Sequence, residues 1–437
     1  MKTPGNQRYA RSEAYLDRAR RVIPLGSQTF SKSITQYPIG ISPLALTRGK
    51  GSRVWDPDGN EYLDFVNALL SISLGYADPD VDKAVTEQLA LGTIFSLPHP
   101  SEAEVAELIC ECVPSAEMVR FGKNGSDATA GAVRLARAYT GRDHVLVCGY
   151  HGWQDWFIGS TPRNRGVPEA TRALTHSFPY NDLPALATML ERYHGQVACV
   201  ILEPMNLAWP LPGYLEGVRQ ACTKAGAILI FDETITGFRF ARGGAQELFG
   251  ITPDLTTLGK GLANGFPLSV VCGRRDIMML MEEIFFSFTL GGETLSLAAA
   301  KATISKIRRE PVIETMTKRG ERLVTGLGQI VQGNKLGDLL SVSGHPTWSF
   351  LNIADTSLTT SWVTKTLFLQ EMFARGILVL GTHNISYAHS DADIDQLLAV
   401  YREVLPFVRR VAVDGSIHEH LKVRPLQPLF RVRGETK

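Results

Sequence analysis

Three short runs in the middle of the chain, Val145–Cys148, Ala198–Leu202 and Ala227–Phe231, are apolar at every position. A half-exposed strand alternates apolar with polar residues, so a run without alternation must be covered on both faces. Between these runs lie stretches with helical spacing, such as Ala128–Tyr139 and Leu215–Ala225. Strands alternating with helices build a mainly parallel sheet flanked by helices, and that is the α/β fold class expected from about Val119 onward. Such sheets bind ligands beyond the carboxyl ends of their strands.

The flanking regions follow a different rhythm. Ser12–Ile23 has helical periodicity with Ser12 as its expected cap, and Pro24 and Gly26 end it. Ser52–Phe65 reads as a hairpin turning at Asp56-Pro57-Asp58-Gly59. Helical patterns follow over Val81–Leu91 and Ser101–Cys112. After Arg309 come helices over Val312–Val331 and Ser361–Arg375, and strands near Thr347–Asn352 and Ile377–Leu380. A last helix over Asp391–Arg409 opens with Ser390 and Asp393 in near capping-box spacing. With 437 residues the chain exceeds one core. The expected division is an amino-terminal segment, 1–75, forming part of a small lobe, a large ligand-binding domain, 76–309, and a small carboxyl-terminal domain, 310–437.

A formal net charge of +1 gives no reason to expect nucleic acid or an anionic membrane surface as a partner. The polar amino terminus and the lack of any membrane-length apolar run predict a cytoplasmic address. Cys148, Cys199 and Cys272 sit in strand-like runs, as reduced core thiols do. Cys110 and Cys112 have no matching Cys/His pair, so neither disulfides nor a metal is expected.

The chemistry gathers where strands end. The Ala227–Phe231 run stops at Asp232 and Glu233, and a carboxylate ending a buried strand needs a cationic partner, either Arg239 or a bound cation such as a protonated pyridine. Lys260 follows 28 positions after Asp232 (260 − 232 = 28), between Gly259 and Gly261. An isolated lysine in a glycine turn is usually a surface residue, but flanking glycines also let backbone approach a ligand and leave room at an amine. Pyridoxal phosphate needs both groups: an amine for its aldehyde and an anion for its ring nitrogen. Upstream, Lys123-Asn-Gly-Ser126 joins a strand to a helix. There Gly125 and Ser126 offer a turn and cap, or a phosphate site at a helix amino terminus. Past another strand end, Tyr150 or His151 offers a flat ring for stacking. Glu203-Pro204 follows Val200–Leu202 in the same way.

Taken in register, Asn124-Gly-Ser-Asp-Ala128, Tyr150-His-Gly152, Glu203-Pro204, Phe231–Arg239, Gly259–Gly265 and Phe288-Thr-Leu-Gly-Gly292 resemble the class III pyridoxal-phosphate aminotransferases of fold type I. Within that class the likeness is to glutamate-1-semialdehyde aminomutase and its transaminase relatives. The resemblance implies a large parallel-sheet domain with a smaller mixed lobe built from both termini. It implies that Lys260 forms the Schiff base and shuttles a proton, and that Asp232 pairs with the ring nitrogen. Tyr150 and His151 would then lie at the ring, Glu203 beside them, and Gly125 and Ser126 at the phosphate. A threonine at the position of Thr289 reaches the neighbouring subunit's cofactor in the family, which implies a homodimer with shared sites.

Departures from the pattern bear on the substrate. Thr234 stands where the family usually has valine, and Gly292-Glu-Thr294 stands where Gly-Asn-Pro is common. Lys32, in Gln28–Lys32, replaces an arginine thought to meet the substrate carboxylate, keeping its charge without its bidentate fork. Lys32 and Glu293 are therefore the candidate substrate contacts. The expected reaction is amino transfer from an amino-acid donor to a keto or aldehyde acceptor in two half-reactions. The alternatives are intramolecular transfer of the aminomutase kind and a non-catalytic cofactor-binding protein.

Overall fold

A computed structural model describes residues 7–427. They form two compact units, a large one of residues 70–73 and 79–313 and a small one of residues 7–69, 74–78 and 314–427.

The large unit is built on a sheet of seven strands: β1 (Met118–Gly122), β2 (His144–Cys148), β3 (Thr175–Ser177), β4 (Val197–Leu202), β5 (Ile228–Asp232), β6 (Leu255–Leu258) and β7 (Ser269–Gly273). Their order is β1-β7-β6-β5-β4-β2-β3. Only β7 runs antiparallel to its neighbours, and the remaining pairs are parallel. Every residue of β4 and β5 is buried, and their alternate side chains explain the missing alternation. Cys199, Ile201, Ile228 and Ile230 pack on one face with Ala128, Ala132 and Ala136 of the Gly125–Thr140 helix. Val200, Leu202, Leu229 and Phe231 pack on the other with Leu215, Val218 and Cys222 of the Tyr214–Ala225 helix. Each such large side chain withdrawn from water contributes about 1.5–3 kcal/mol.

β6 lacks an all-apolar signature because its threonines are buried with partners. Thr256 Oγ1 meets the Ser115 hydroxyl at 2.8 Å and accepts from Gln246 Nε2 at 3.1 Å. Thr257 faces Asp232 across the parallel register of β5 and β6.

The small unit draws on both ends of the chain. The predicted hairpin forms from Arg53–Trp55 and Glu61–Asp64, and Ile377–Leu378 adds to it in parallel through Ile377 opposite Leu63. A second, antiparallel sheet comprises Leu340–His345, Trp348–Ile353 and Thr382–Asn384. The first helix differs from expectation: it spans Ala10–Ala19, and Ser12 is buried within it rather than capping it. Asp58, in the hairpin turn, supplies the cap instead by accepting the Arg11 and Ser12 amides at 2.7 and 2.9 Å. The last long helix, Asp391–Asp414, has the capping box of Ser390 and Asp393. Among the described residues no helix is long and apolar enough to cross a membrane.

Candidate active site

A cavity of about 400 Å³ opens in the large unit beyond the carboxyl ends of β2, β4 and β5. Its lining includes Lys123, Gly125, Ser126, Tyr150, His151, Glu203, Asp232, Thr234 and Lys260. Parallel strands ending at one edge bring together residues more than a hundred positions apart.

Asp232 closes β5 and is 5% exposed. Its Oδ1 accepts the Thr234 hydroxyl at 2.6 Å, the Thr257 hydroxyl at 3.0 Å and the Thr234 amide at 3.1 Å. Its Oδ2 lies 2.8 Å from His151 Nδ1. Burial by itself pushes this carboxyl pKa up, but the hydrogen bond and charge of His151, the Thr234 hydroxyl and the Lys260 ammonium overcome burial and hold it below the usual value. Arg239, the other partner considered for it, points its guanidinium elsewhere, donating to Ser73 Oγ at 3.0 Å and the Leu70 carbonyl at 3.5 Å.

Both ring nitrogens of His151 have partners. Its Nε2 lies 3.2 Å from the Cys148 carbonyl oxygen, which only accepts, so Nε2 carries a hydrogen. Nδ1 faces the Asp232 carboxylate. His151 is buried against Asp232, with its ring edge on Phe157 at 5.3 Å.

Lys260 follows β6 in a backbone conformation with φ 44°, in the left-handed region. A residue with a β-carbon held there costs roughly 1–2 kcal/mol, and such strain concentrates at functional sites. Gly259 before it is extended, and a short 3₁₀ turn, Lys260–Ala263, follows.

At the helix start, Asn124 accepts the Ser126 and Asp127 amides at 3.0 and 3.2 Å, while Asp127 returns to the Lys123 and Asn124 amides. Two of the amides expected to be open to an anion are therefore already used. The Gly125 backbone and the Ser126 hydroxyl remain at the cavity wall, and that hydroxyl also accepts the Trp153 amide at 3.2 Å. A β-carbon at Gly152, where φ is 104°, would overlap Ser126 Oγ, so this wall closes only around glycine.

Glu203 accepts the Tyr150 amide at 3.0 Å and Asn206 Nδ2 at 2.6 Å, which fixes the backbone that carries Tyr150 into the cavity wall. Glu293 caps the Thr294–Arg309 helix, accepting the Leu295 amide at 2.7 Å, and pairs with Lys123 Nζ at 3.2 Å. Thr289 is exposed and does not line this cavity. Lys32 belongs to the small unit, where it lines a separate cavity with Arg11, Arg18 and Arg21. Thr257 went unmarked in the sequence, since only strand register brings it to Asp232. Trp153 and Phe266 also border the cavity, without a sequence signal beyond proximity to motifs.

An amine on strained backbone, a buried carboxylate kept ionised, an aromatic wall and a helix amino terminus around about 400 Å³ match the needs of a phosphorylated pyridine aldehyde. Fold and site together define a pyridoxal-phosphate enzyme of fold type I. The chain belongs to the class III aminotransferases, whose family model matches residues 37–396. It is 37% identical over 416 residues to the glutamate-1-semialdehyde 2,1-aminomutase of Syntrophobacter fumaroxidans, covering 88% of this chain and 95% of that protein. Among solved structures it resembles the FumI protein of Sphingopyxis sp. MTA144 in its internal aldimine form, with TM-score 0.85, 29% identity, and coverage of 92% of this chain and 97% of that one. It also resembles an omega-transaminase from Sphaerobacter thermophilus, with TM-score 0.81, 27% identity, and coverage of 91% and 98%.

Proposed function

We propose that this enzyme moves an amino group from an amino-acid donor to a keto or aldehyde acceptor, with Lys260 as nucleophile and proton carrier. The observation that carries this reading is the convergence of Lys260, ionised Asp232 and the Gly125–Ser126 helix start on one cavity. When bound there, pyridoxal phosphate supplies an electron sink for the carbon that loses its proton. Asp232 holds a fixed negative charge for the ring nitrogen, backed by His151. Ser126 and the Gly125 amide hold the phosphate, with Lys123 close by. Tyr150 and His151 border the ring, and Glu203 steadies Tyr150. The Lys260 amine takes and returns a proton at Nζ.

A homodimer acting in the cytoplasm belongs to the same proposal. Thr289 lies outside its own cavity, and Phe285, Phe288 and Leu290 around it are exposed, as are Ile94, Phe95 and Leu97. The two segments are tied together by Thr294, which donates to the carbonyls of Gly92 and Thr93. Apolar exposure of this kind suits a subunit interface, and Thr289 would then serve the partner's site.

Single-turnover mixing with a series of amino donors tests the reading. Wild type should convert its cofactor to the amine form with at least one donor, whereas Lys260→Ala should bind cofactor and fail to turn over. A Lys260→Ala variant that transaminates would sink the mechanism. The likeness to aminomutases favours a second reading, intramolecular transfer. The need for a second carbonyl substrate separates the two, since an aminomutase isomerises one substrate without a separate acceptor, whereas a transaminase requires one and releases its donor as a keto compound. Lys32 and Glu293 remain the proposed substrate contacts, and the exchange of either should change KM between donors more than kcat.

A further inference from the structure

Thr234 touches three parts of the site. Its hydroxyl donates to Asp232 Oδ1 at 2.6 Å, the shortest of the three bonds that oxygen accepts. Its methyl sits between the two loops of the cavity: a β-carbon at Gly125 would lie 3.1 Å from Thr234 Cγ2, and one at Gly259 3.2 Å. The side chain therefore spaces the helix start from the lysine turn while binding the acid.

The effect on Asp232 follows from hydrogen bonding to its ionised form. Three donors crowd Oδ1, more than its two lone pairs, so Oδ2, which meets His151 alone, is the oxygen with room for another partner. Each hydrogen bond to an ionised carboxylate stabilises the anion and lowers its appetite for a proton. When a protonated ring nitrogen faces such a carboxylate, one proton is shared between two bases. It stays on nitrogen only while the carboxylate is the weaker base.

We propose that Thr234 is a positioning residue whose hydroxyl keeps the proton on the cofactor's ring nitrogen by giving Asp232 Oδ1 its shortest hydrogen bond and so stabilising the carboxylate as an anion, while its methyl sets the spacing of the phosphate and lysine loops. This rests on the assignment of Asp232 to the ring nitrogen. Electron-sink chemistry depends on a protonated ring, so the hydroxyl acts on rate rather than on substrate affinity.

The test compares Thr234→Ala with Thr234→Ser, which differ only in the hydroxyl, in enzyme reloaded with pyridoxal phosphate carrying 15N in its ring. Wild type and Thr234→Ser should show the nitrogen resonance of a protonated ring, and Thr234→Ala a resonance moved toward the neutral ring. In Thr234→Ala kcat should fall about ten-fold relative to Thr234→Ser, the size expected for one charge-assisted hydrogen bond, with KM nearly constant. Cofactor release should quicken equally in both variants, because both lose the methyl. Identical nitrogen resonances in Thr234→Ala and Thr234→Ser would overturn the hydroxyl's role. If Asp232→Ala also leaves the wild-type resonance unchanged, the failure lies in the assignment of Asp232 instead.

Discussion

Buried histidines are treated in opposite ways by the two units. In the large unit His151 meets a carboxylate and a carbonyl, both acceptors. In the small unit His383 is held by the Ser349 hydroxyl at 3.0 Å and the Tyr401 hydroxyl at 2.7 Å, neither of them an anion. His389 stacks on Phe65 at 4.5 Å and accepts the Ser386 amide at its Nδ1, which therefore lacks a hydrogen. Burial pulls the pKa of His383 down to about 3 and that of His389 to about 4. Of these three buried rings only His151 hydrogen-bonds a carboxylate, and that carboxylate lines the proposed site.

The largest expected effect breaks the large unit's half of the comparison. Asp232→Ala removes the anion that His151 meets and that is proposed to face the ring nitrogen, and kcat should fall by at least about a thousand-fold, the scale of a lost preorganised charge. It should also leave the buried His151 Nδ1 without its partner, so thermal unfolding should show a loss of about 1–3 kcal/mol. Asp232→Ala that keeps wild-type turnover would remove the distinction between the units.

Acidification tests the other half. Because both small-unit histidines have folded pKa values below the ordinary 6.5, the unfolded chain binds more protons between that value and about 4. Their contribution to stability is complete above pH 6.5 and declines as pH falls. Asp232 behaves differently: its lowered carboxyl pKa contributes stability above about 3.8, lost only as pH falls through its folded value. Hydrogen exchange from pH 7 to pH 5 should therefore show the Trp348–Ile353 and Thr382–Asn384 strands losing protection before β4 and β5. Substituting Gln for His383 should flatten that dependence.

The smallest effects compare helix caps of similar chemistry. Ser390→Ala should cost about 1 kcal/mol of stability in the small unit and leave cofactor affinity unchanged. Asn124→Ala should cost a similar amount in the large unit but also weaken cofactor binding, measured by fluorescence titration, because that cap shapes the Gly125–Ser126 wall. Equal cofactor affinity in both variants would reduce the Asn124 turn to a structural cap.

Much of this was legible in the residues alone. The all-apolar runs within β2, β4 and β5 required a covered parallel sheet, and the acid ending β5, the glycines around Lys260 and the Asn124 turn marked the proposed site. These signals are local, set by hydration, backbone freedom and helix-end hydrogen bonding within a few residues. Register was not: Thr257 reaches Asp232 only because β5 and β6 pair in parallel, and Asp58 caps a helix some forty-six positions away in sequence. Nor could spacing tell that Arg239 turns to Ser73 while His151 takes Asp232, or that Thr234 binds the acid with one branch and spaces two loops with the other. Which partner a buried charge receives depends on distances of a few ångströms between strand ends, and those are decided only when the sheet is assembled.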